Sequence, residues 1–512
     1  MGTGEETRTL VLVNLAGIME RADEALLPAV YKEVGAALDA TPTALGSLTL
    51  FRSIVQTCCY PLAAYMSMRY DRTHVVALGA FLWSAATFLV AVSTTFFQVA
   101  VARALNGVGL ALVIPSIQAL VADSSDDNTR GSAFGWLYLT SGFGSIIGNF
   151  LGLLLASTSV MGIAGWRVAF HLITVLSVVV GILVRLFAVD PNFPKNLTGA
   201  NDKAASRKLS WAEVKDLIEE AKTVMRIPSF QIIVAQGISG SFPWSALAFM
   251  PMWLELVGFS HSETGLLMTL FSIATSLGAL FGGKLGDFLA KHFPNAGRIV
   301  LSQISSGSCI PLAGVLLLVL PGDPSTGLAH GLVFFIMGLS ISWNAAATNK
   351  YCSPIFAEIV PERSRTSIYA LDRSFESILA SFAPPVVGIL AEHLYGYRPT
   401  PSGSGEGAVL ESDRANAASL AKALYTGIAI PMSLCCSIYS FLYCTYPRDR
   451  ARARMDSLIA SEIQQLELEN SSEVRDEQKL SSKLADITDG IDDESDERRL
   501  LRGPAIVSED ED

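Results

Sequence analysis

Residues 74–93 read HVVALGAFLWSAATFLVAVS, a run of twenty positions without an acidic residue, a lysine or an arginine. A helix of this length crosses the hydrocarbon core of a bilayer, which is about 30 Å thick. Similar runs lie near residues 9–34, 44–68, 97–121, 131–156 and 167–188 and, after a polar stretch, near 229–256, 263–289, 298–320, 327–349, 366–394 and 420–446. The sequence therefore predicts an all-α integral membrane protein with twelve transmembrane helices in two six-helix halves.

The composition of the chain agrees with this prediction. Half of the 512 residues are hydrophobic and 17% are charged, so the apolar surface exceeds what one or two soluble domains could bury. The seven cysteines form no CxxC pair and no metal-ligand spacing, which argues against disulfides and a zinc site. P-loop, HExxH and GxSxG patterns are missing from the sequence. We therefore expect no enzymatic activity, no cofactor and no nucleic-acid partner.

The pattern divides the chain into four regions. Residues 1–188 form an N-terminal six-helix bundle, 189–228 a cytosolic linker with an amphipathic helix, 229–446 a C-terminal six-helix bundle and 447–512 an acidic, mostly disordered cytosolic tail. The linker helix begins at the capping box of Ser210 and Glu213. It lies either along the membrane surface or on the cytosolic face of the bundle.

Basic residues concentrate in the loops on one side of the predicted membrane. The set comprises Arg69, Arg72, Arg130, Lys291, Arg298, Lys350, Arg363 and Arg365. Because such loops resist translocation, we expect both termini in the cytosol. The stretch from Asp496 to Leu500 and Leu501 is an acidic dileucine pattern of the kind that sorting adaptors bind. The plasma membrane and vacuolar or endosomal membranes both stay open as locations.

The two halves carry a matched pair of charges. Asp123 precedes Arg130 at the start of the fifth helix, and Glu358 precedes Arg365 at the start of the eleventh helix, with the same spacing. Each carboxylate ends one helix and each arginine begins the next, so each pair can clamp neighbouring helices at the cytosolic face. A parallel duplication of a six-helix unit explains the match.

Residues 283–287, GKLGD, match the core of the cytosolic loop signature of the major facilitator superfamily, which the chain resembles over residues 9–446. The first-half copy keeps Arg69 and Arg72 but departs from the signature elsewhere. The resemblance implies the major facilitator fold, alternating access and function as a single chain. It also implies gating roles for these two arginines, for Asp287 and for the matched pairs.

Two further motifs support the resemblance. Residues 103–109, RALNGVG, fit the arginine-and-glycine motif of the superfamily in helix four. Helix five has Gly142, Gly144 and Gly148 but lacks the proline of the antiporter motif. Residues 14–21, NLAGIMER, are similar to the Spinster-type pattern of an asparagine followed by an acid-arginine pair. Resemblance to Spinster-like facilitators, including the plant branch, implies transport of lysolipids, sphingoid lipids or other small amphiphiles.

Helix one carries Glu20, Arg21, Asp23 and Glu24 between two apolar runs, near the middle of the bilayer. An unpaired charge there costs about 3 kcal/mol or more. Glu20 and Glu24 share a helix face, so Arg21 can neutralise one carboxylate and a proton the other. A static ion network that only fixes helix packing is the alternative. Our hypothesis is that Glu20 and Glu24 couple protons and that Arg21 is a charge partner or a substrate anchor.

Other polar residues fall inside predicted membrane helices. Arg103 either binds substrate or relays protons, or it forms a permanent bridge to a helix-one carboxylate. Asp372, Arg373 and Glu376 repeat the helix-one arrangement in helix eleven, as a second proton-coupling site or as a gate bridge. Further candidates for substrate contact or charge relay are Asn14, Gln236, Trp244 and Asn344, although such residues singly are more often packing than ligands.

Together these features predict a secondary active transporter that works by alternating access and is coupled to protons. Its expected partners are a small organic or lipid-like substrate, protons, the lipid bilayer and a sorting adaptor at the tail. A transporter-like receptor that signals through the tail is the main alternative, and a membrane-integral enzyme is the weaker one.

Overall fold

The computed structural model describes residues 3–123, 130–156, 158–190, 222, 224–343, 355, 359, 374–398 and 406–500. Several predicted site residues lie outside these ranges, namely Asn344, Glu358, Arg365, Asp372, Arg373 and Leu501. Most of the predicted linker helix also lies outside them. The predictions for these residues stay predictions.

Among the described residues, the first half contains seven helices and a short hairpin. The helices are α1 (Thr3–Ala29), α2 (Tyr31–Leu38), α3 (Pro42–Arg69), α4 (Arg72–Val92), α5 (Phe96–Asp123), α6 (Arg130–Ala156) and α7 (Gly165–Phe187), and the hairpin pairs β1 (Ser159–Val160) with β2 (Ile163–Ala164). Local capping explains where α3 and α4 begin. Thr41 caps α3 ahead of Pro42, and the Asp71 side chain accepts a hydrogen bond from Thr73 N at the start of α4.

The second half contains broken as well as continuous helices. α8 (Pro228–Ala246) continues through a 3-10 turn at Leu247–Phe249 into α9 (Met250–Val257). The helices that follow are α10 (His261–His292), α11 (Gly297–Gly314), α12 (Gly327–Ile341), α13 (Ala383–Ile389) and α14 (Glu406–Leu500). α11 ends in a π turn at Val315–Val319 and α13 in a π turn at Leu390–Leu394. A proline inside α8, Pro243, precedes the break between α8 and α9.

The membrane prediction is confirmed by the length and apolar character of the helices. Within the described ranges, ten helical segments are long and apolar enough to cross a membrane. α1 and α3, with 27 and 28 residues, are each about 40 Å long, more than the roughly 30 Å of the hydrocarbon core. On α4, Phe81 and Leu89 are exposed whereas Trp83 is buried, as expected for a helix with one lipid face and one bundle face.

The bundle has two ends, which we call the linker face and the loop face. The linker face holds Arg69, Arg72 and the end of α7 at Phe187, and the loop face holds the turns at residues 39–41 and 258–260. Thr9 and Val189, which are hydrogen-bonded to each other, join the start of α1 to the end of α7 at the linker face.

The described contacts between the two halves include several at the loop face. Gly46 of α3 lies against the backbone of Pro384, and Gly388 lies against that of Thr43, with no room for a Cβ on either glycine. Thr43 N donates a hydrogen bond of 2.7 Å to Glu392 Oε1. We call this set of contacts the seam, and it joins the two halves at the loop face.

The C-terminal region differs from its prediction. α14 runs as one helix from Glu406 to Leu500, where the sequence predicts a membrane helix that ends at 446 and a mostly disordered tail. Residues 450–500 are rich in leucine, alanine, arginine, glutamate and lysine, all strong helix formers, so local propensity outweighs the acidic charge that favoured disorder. Residues from Arg450 onward form a separate compact unit. The sorting motif, with Asp496 and Leu500 in the last turns of this helix, stays a prediction.

Candidate functional site

α1 holds its charged residues inside the first half by close packing against α6. Gly144 and Gly148 of α6 lie against the backbone of Ile18 and Ala22, so a side chain at either glycine would collide with α1. The partial glycine motif is therefore a helix-packing surface. This contact leaves Glu20 and Asp23 buried, with 5% and 0% of their surface exposed.

Arg21 and Glu24 form the partly exposed side of a charge network. Arg21 Nη1 donates a hydrogen bond to Glu24 Oε2, and Arg21 Nε lies 3.4 Å from Glu20 Oε2. Arg52 of α3 donates a 2.7 Å hydrogen bond from Nη2 to Glu24 Oε1. The side chains of Arg21 and Glu24 are 22% and 31% exposed, so this side of the network is only partly enclosed. We call Glu20, Arg21, Glu24 and Arg52 the outer cluster.

Asp23 forms the enclosed side of the network. Its carboxylate accepts hydrogen bonds from Thr87 Oγ1 of α4 and, at 2.9 Å, from Asn106 Nδ2 of α5. Arg103 Nη1 lies 3.7 Å from Asp23 Oδ2, and Arg103 is 1% exposed. Asp23 and Arg103 form what we call the inner pair, which corresponds to the predicted bridge between Arg103 and a helix-one carboxylate.

Glycines bring these helices close enough for the inner pair to form. Gly107 lies against the backbone of Arg52 on α3, and Gly109 lies against Trp83 on α4. The arginine-and-glycine motif thus places Arg103 and Asn106 toward α1 by letting α5 approach its neighbours at backbone distance.

The described network has balanced formal charge and unsatisfied donors. It contains three carboxylates, from Glu20, Asp23 and Glu24, and three guanidinium groups, from Arg21, Arg52 and Arg103. Nε and Nη1 of both Arg52 and Arg103 are buried and donate no hydrogen bond to any described residue. Such donors are costly in a low-dielectric interior. Protonation of one carboxylate, or entry of an anionic group, would therefore change the pairing of the whole network.

Three predicted contact residues lie outside this network. Asn14 Nδ2 donates to Leu10 O at 2.7 Å, and its Oδ1 accepts from Thr140 Oγ1 at 2.8 Å, so this amide joins α1 to α6. Gln236 is buried beside Cys435, whose Sγ lies 3.7 Å from Gln236 Oε1. Trp244 is 39% exposed, with its ring 6.4 Å from that of Phe271. Their proposed roles in substrate contact stay predictions.

The predicted eleventh transmembrane helix, near residues 366–394, carries three predicted charges, and the structure describes one of them. Glu376 is half-buried and lies against Gly237 of α8, where a Cβ would collide with its carboxylate. The glycine thus makes room for an acid between two helices.

The predicted gating arginine Arg72 pairs with Asp190, which follows the end of α7. Its backbone N and Nε donate to Asp190 Oδ2 at 3.0 and 2.8 Å, and Nη2 donates to Oδ1. Arg72 and Asp190 are 8% and 3% exposed, so the bridge is buried at the linker face. For Arg69, Asp123, Arg130 and Asp287 the structure describes the helix backbone only, and their gating roles stay predictions.

Sequence reasoning missed several members of the site. Arg52 lies inside the apolar run 44–68, and a charge inside a predicted membrane helix is the signal that would have identified it. Asn106 lies within the motif 103–109 and Asp23 within the recognised acidic cluster, but neither received a role. Thr87 and Asp190 carry no comparable signal in the sequence.

Buried charges inside a bundle of membrane-spanning helices, such as the network in the first half, are typical of transporters. The family model of the Major Facilitator Superfamily matches residues 13–353, and the chain belongs to this superfamily. Members of this family are transporters rather than enzymes.

Within the superfamily the chain is similar to Spinster proteins. The protein spinster of Drosophila melanogaster is 24% identical over 408 residues, which cover 77% of this chain and 63% of spinster. An MFS-type efflux pump of Mycolicibacterium smegmatis is 26% identical over 389 residues, which cover 74% of this chain and 83% of the pump. A bacterial homolog to the human lysosomal transporter Spinster, solved in an inward-facing and unoccupied conformation, has a TM-score of 0.71 at 18% identity and covers 88% of this chain and 99% of its own. That structural likeness concerns the fold alone.

Proposed function

We propose that this chain is a proton-coupled carrier that moves a small amphiphile across the membrane by alternating access. The charge network between α1, α3 and α5 is the observation that carries the proposal. Intramembrane charges are costly unless they are paired or used, and they mark ion and substrate pathways in transporters. Similarity to spinster supports the amphiphile, of the lysolipid or sphingoid class, and membership of the plant Spinster-like branch belongs to the same proposal.

The two sides of the network have different roles in this proposal. The inner pair is enclosed and hydrogen-bonded by neutral donors, which suits a permanent bridge between α1 and α5. The outer cluster is partly exposed and shares Arg21 between two carboxylates, which suits a group that changes its protonation state.

Glu20 is the proposed proton carrier. Its carboxylate is buried and lies beside Arg21, so a proton there leaves the outer cluster with two guanidinium groups and one carboxylate, a net charge of +1. Arg21 then holds an anionic head group, because a guanidinium binds phosphate and carboxylate oxygens through parallel hydrogen bonds. Arg103 is too enclosed for this task. Proton binding and substrate binding are thereby linked through one arginine.

The orientation of the carrier follows the loop charges. In this proposal the linker face is cytosolic, and the closed seam at the loop face corresponds to an inward-facing state. In the same proposal, a single chain is sufficient for transport.

The proposal is tested by flux into proteoliposomes. Labelled lysophospholipid, sphingosine and organic acids are offered with and without an imposed pH gradient, to wild type, to Glu20→Gln and to Glu411→Gln, whose side chain is exposed on α14. We expect gradient-driven accumulation in the wild type and in the control. Glu20→Gln should lose accumulation while it keeps exchange of substrate in the absence of a gradient, because the glutamine mimics a protonated acid.

Two results would count against the proposal. Full gradient-driven accumulation by Glu20→Gln would remove Glu20 from coupling. Saturable binding of a solute without any flux in the wild type would favour the receptor function.

A further inference from the structure

Three metal-ligating side chains meet at the loop face, away from the charge network. Glu33 lies in α2 of the first half, and Glu255 of α9 and His261 of α10 belong to the second half. One ligand atom from each residue lies within 4.8 Å of the other two. His261 Nδ1 is 2.6 Å from Glu255 Oε1, and His261 Nε2 is 3.6 Å from Glu33 Oε1. We call these residues the seam cluster.

Local structure holds the second-half members in place. Gly258 has a φ of 111°, which ends α9 and turns the chain back within two residues. Ser260 then forms a capping box with Glu263 and starts α10. Glu255 and His261 therefore face each other across a tight, well-capped turn.

α2 brings the first-half member to this turn. Lys32 Nζ donates a 3.3 Å hydrogen bond to Glu255 O, and it lies 3.6 Å from Asp413 Oδ2. The Tyr31 ring packs on Phe249 with centroids 5.3 Å apart. Lys32 is thus paired with Asp413, and His261 is the basic side chain that contacts both glutamates of the cluster.

Each glutamate has a buried oxygen that lacks a described partner. Glu255 is 5% exposed, and its Oε2 has neither solvent nor a hydrogen-bond donor among the described residues. The same is true of Glu33 Oε2. The buried carboxylate of Glu255 and the half-buried carboxylate of Glu33 repel each other, and a single imidazole cannot satisfy four oxygens. A cation that accepts oxygen and nitrogen ligands would relieve both problems.

We propose that the seam cluster binds a divalent transition-metal cation of the Zn²⁺ type. One imidazole nitrogen and one oxygen from each glutamate supply three protein ligands, and water completes a tetrahedral site. Metal-ligand bonds of about 2.0–2.2 Å require ligand atoms about 3.3 Å apart. A metal on His261 Nε2 therefore needs Glu33 Oε1 to approach from 3.6 Å and Glu255 Oε1 to leave its 2.6 Å contact with Nδ1. Ca²⁺ and Mg²⁺ prefer more oxygen ligands than this cluster offers, and the histidine favours a softer metal.

The position of the cluster defines what the metal does. Glu33 is contributed by one half and the other two ligands by the second half, so the cation links the halves at the seam. Any transport cycle that opens the loop face must separate these ligands. Zn²⁺ bound here therefore holds the loop face closed and slows flux.

Metal binding is measured first on the purified full-length protein, in detergent, after removal of metals with a chelator. We expect Zn²⁺ to bind with one site per chain by calorimetry, and Co²⁺ to give the visible absorption bands of a tetrahedral complex. His261→Ala and Glu33→Gln should each weaken binding by at least about tenfold. His292→Ala is the matched control, because His292 is exposed and hydrogen-bonded to its own helix at Phe288 O.

The variants are compared for monodispersity and thermal transition, so that loss of fold is separated from loss of ligand. Equal Zn²⁺ affinity in wild type, His261→Ala and Glu33→Gln would overturn the proposal, as would absence of binding up to about 1 mM. Flux supplies a second readout. Zn²⁺ should inhibit wild type and His292→Ala but not Glu33→Gln, whereas equal inhibition of all three would place the metal elsewhere. The binding result does not depend on the substrate or on proton coupling.

Discussion

Asp23 and Arg103 show how individual residues make a charge tolerable inside this bundle. Neither side chain reaches solvent, and each depends on the other together with Thr87 and Asn106. Removal of one partner from a buried ion pair costs about 3–5 kcal/mol, because the remaining charge is left without compensation. Replacement of both partners by apolar groups of similar size costs much less.

Asp23→Asn is therefore expected to lower the thermal transition of the purified protein strongly. The double variant Asp23→Asn/Arg103→Met should recover part of the loss, because no uncompensated charge is left. A double-mutant cycle of thermal stability, with Glu411→Gln as an exposed control, measures the coupling. Additive losses in the double variant would show that Asp23 and Arg103 do not depend on each other.

At this scale the sequence identified the charged residues but not their partners. Glu20, Arg21, Glu24 and Arg103 stood out because each interrupts an apolar run. The pairing of Arg52 with Glu24 depends on how α1 and α3 are rotated about their axes, and a single sequence does not contain that information. The pairing of Arg72 with Asp190 depends on the same missing geometry.

At the scale of elements, the contact between α1 and α6 rests on small residues. A Cβ on Gly144 would collide with the Ile18 carbonyl and with Arg21 Cβ, whereas a Cβ on Gly142 would meet only Ser276 Oγ at 3.5 Å, an ordinary contact. An added methyl group therefore collides with α1 at Gly144 but fits at Gly142, although the two glycines are only two positions apart on one helix.

Gly144→Ala should destabilise the protein by about 1–3 kcal/mol, because α6 must move away from α1 and disturb the outer cluster. Gly142→Ala should be close to neutral, and it is the matched control. Thermal transitions of both variants, with gradient-driven flux as a second readout, compare the two sites. A Gly144→Ala protein as stable and active as Gly142→Ala would show that the helices are not held by this contact.

Helix positions were predictable because bilayer thickness imposes length and apolar composition on each crossing. The start of α4 at Arg72 and the capping box at Ser260 agree with local sequence signals. The long extension of α14 was not predicted, because acidic composition and helix propensity point to different structures for the same residues. The division of α8 and α9 by a 3-10 turn likewise needs packing information beyond the position of Pro243.

At the scale of the whole molecule, the two halves must separate at the loop face if transport proceeds by alternating access. Lys32 and Asp413 form an ion pair of 3.6 Å across the two halves, and both are partly exposed at the loop face. Lys32→Cys/Asp413→Cys, joined by a short reducible thiol crosslinker, should lose flux by at least about tenfold and recover it on reduction, because the halves can no longer separate. Each single cysteine variant treated with the same reagent is the control, and it also accounts for the exposed native cysteines Cys58 and Cys444. Undiminished flux in the crosslinked double variant would mean that the loop face does not open during the cycle, and that substrate takes a different route through the bundle.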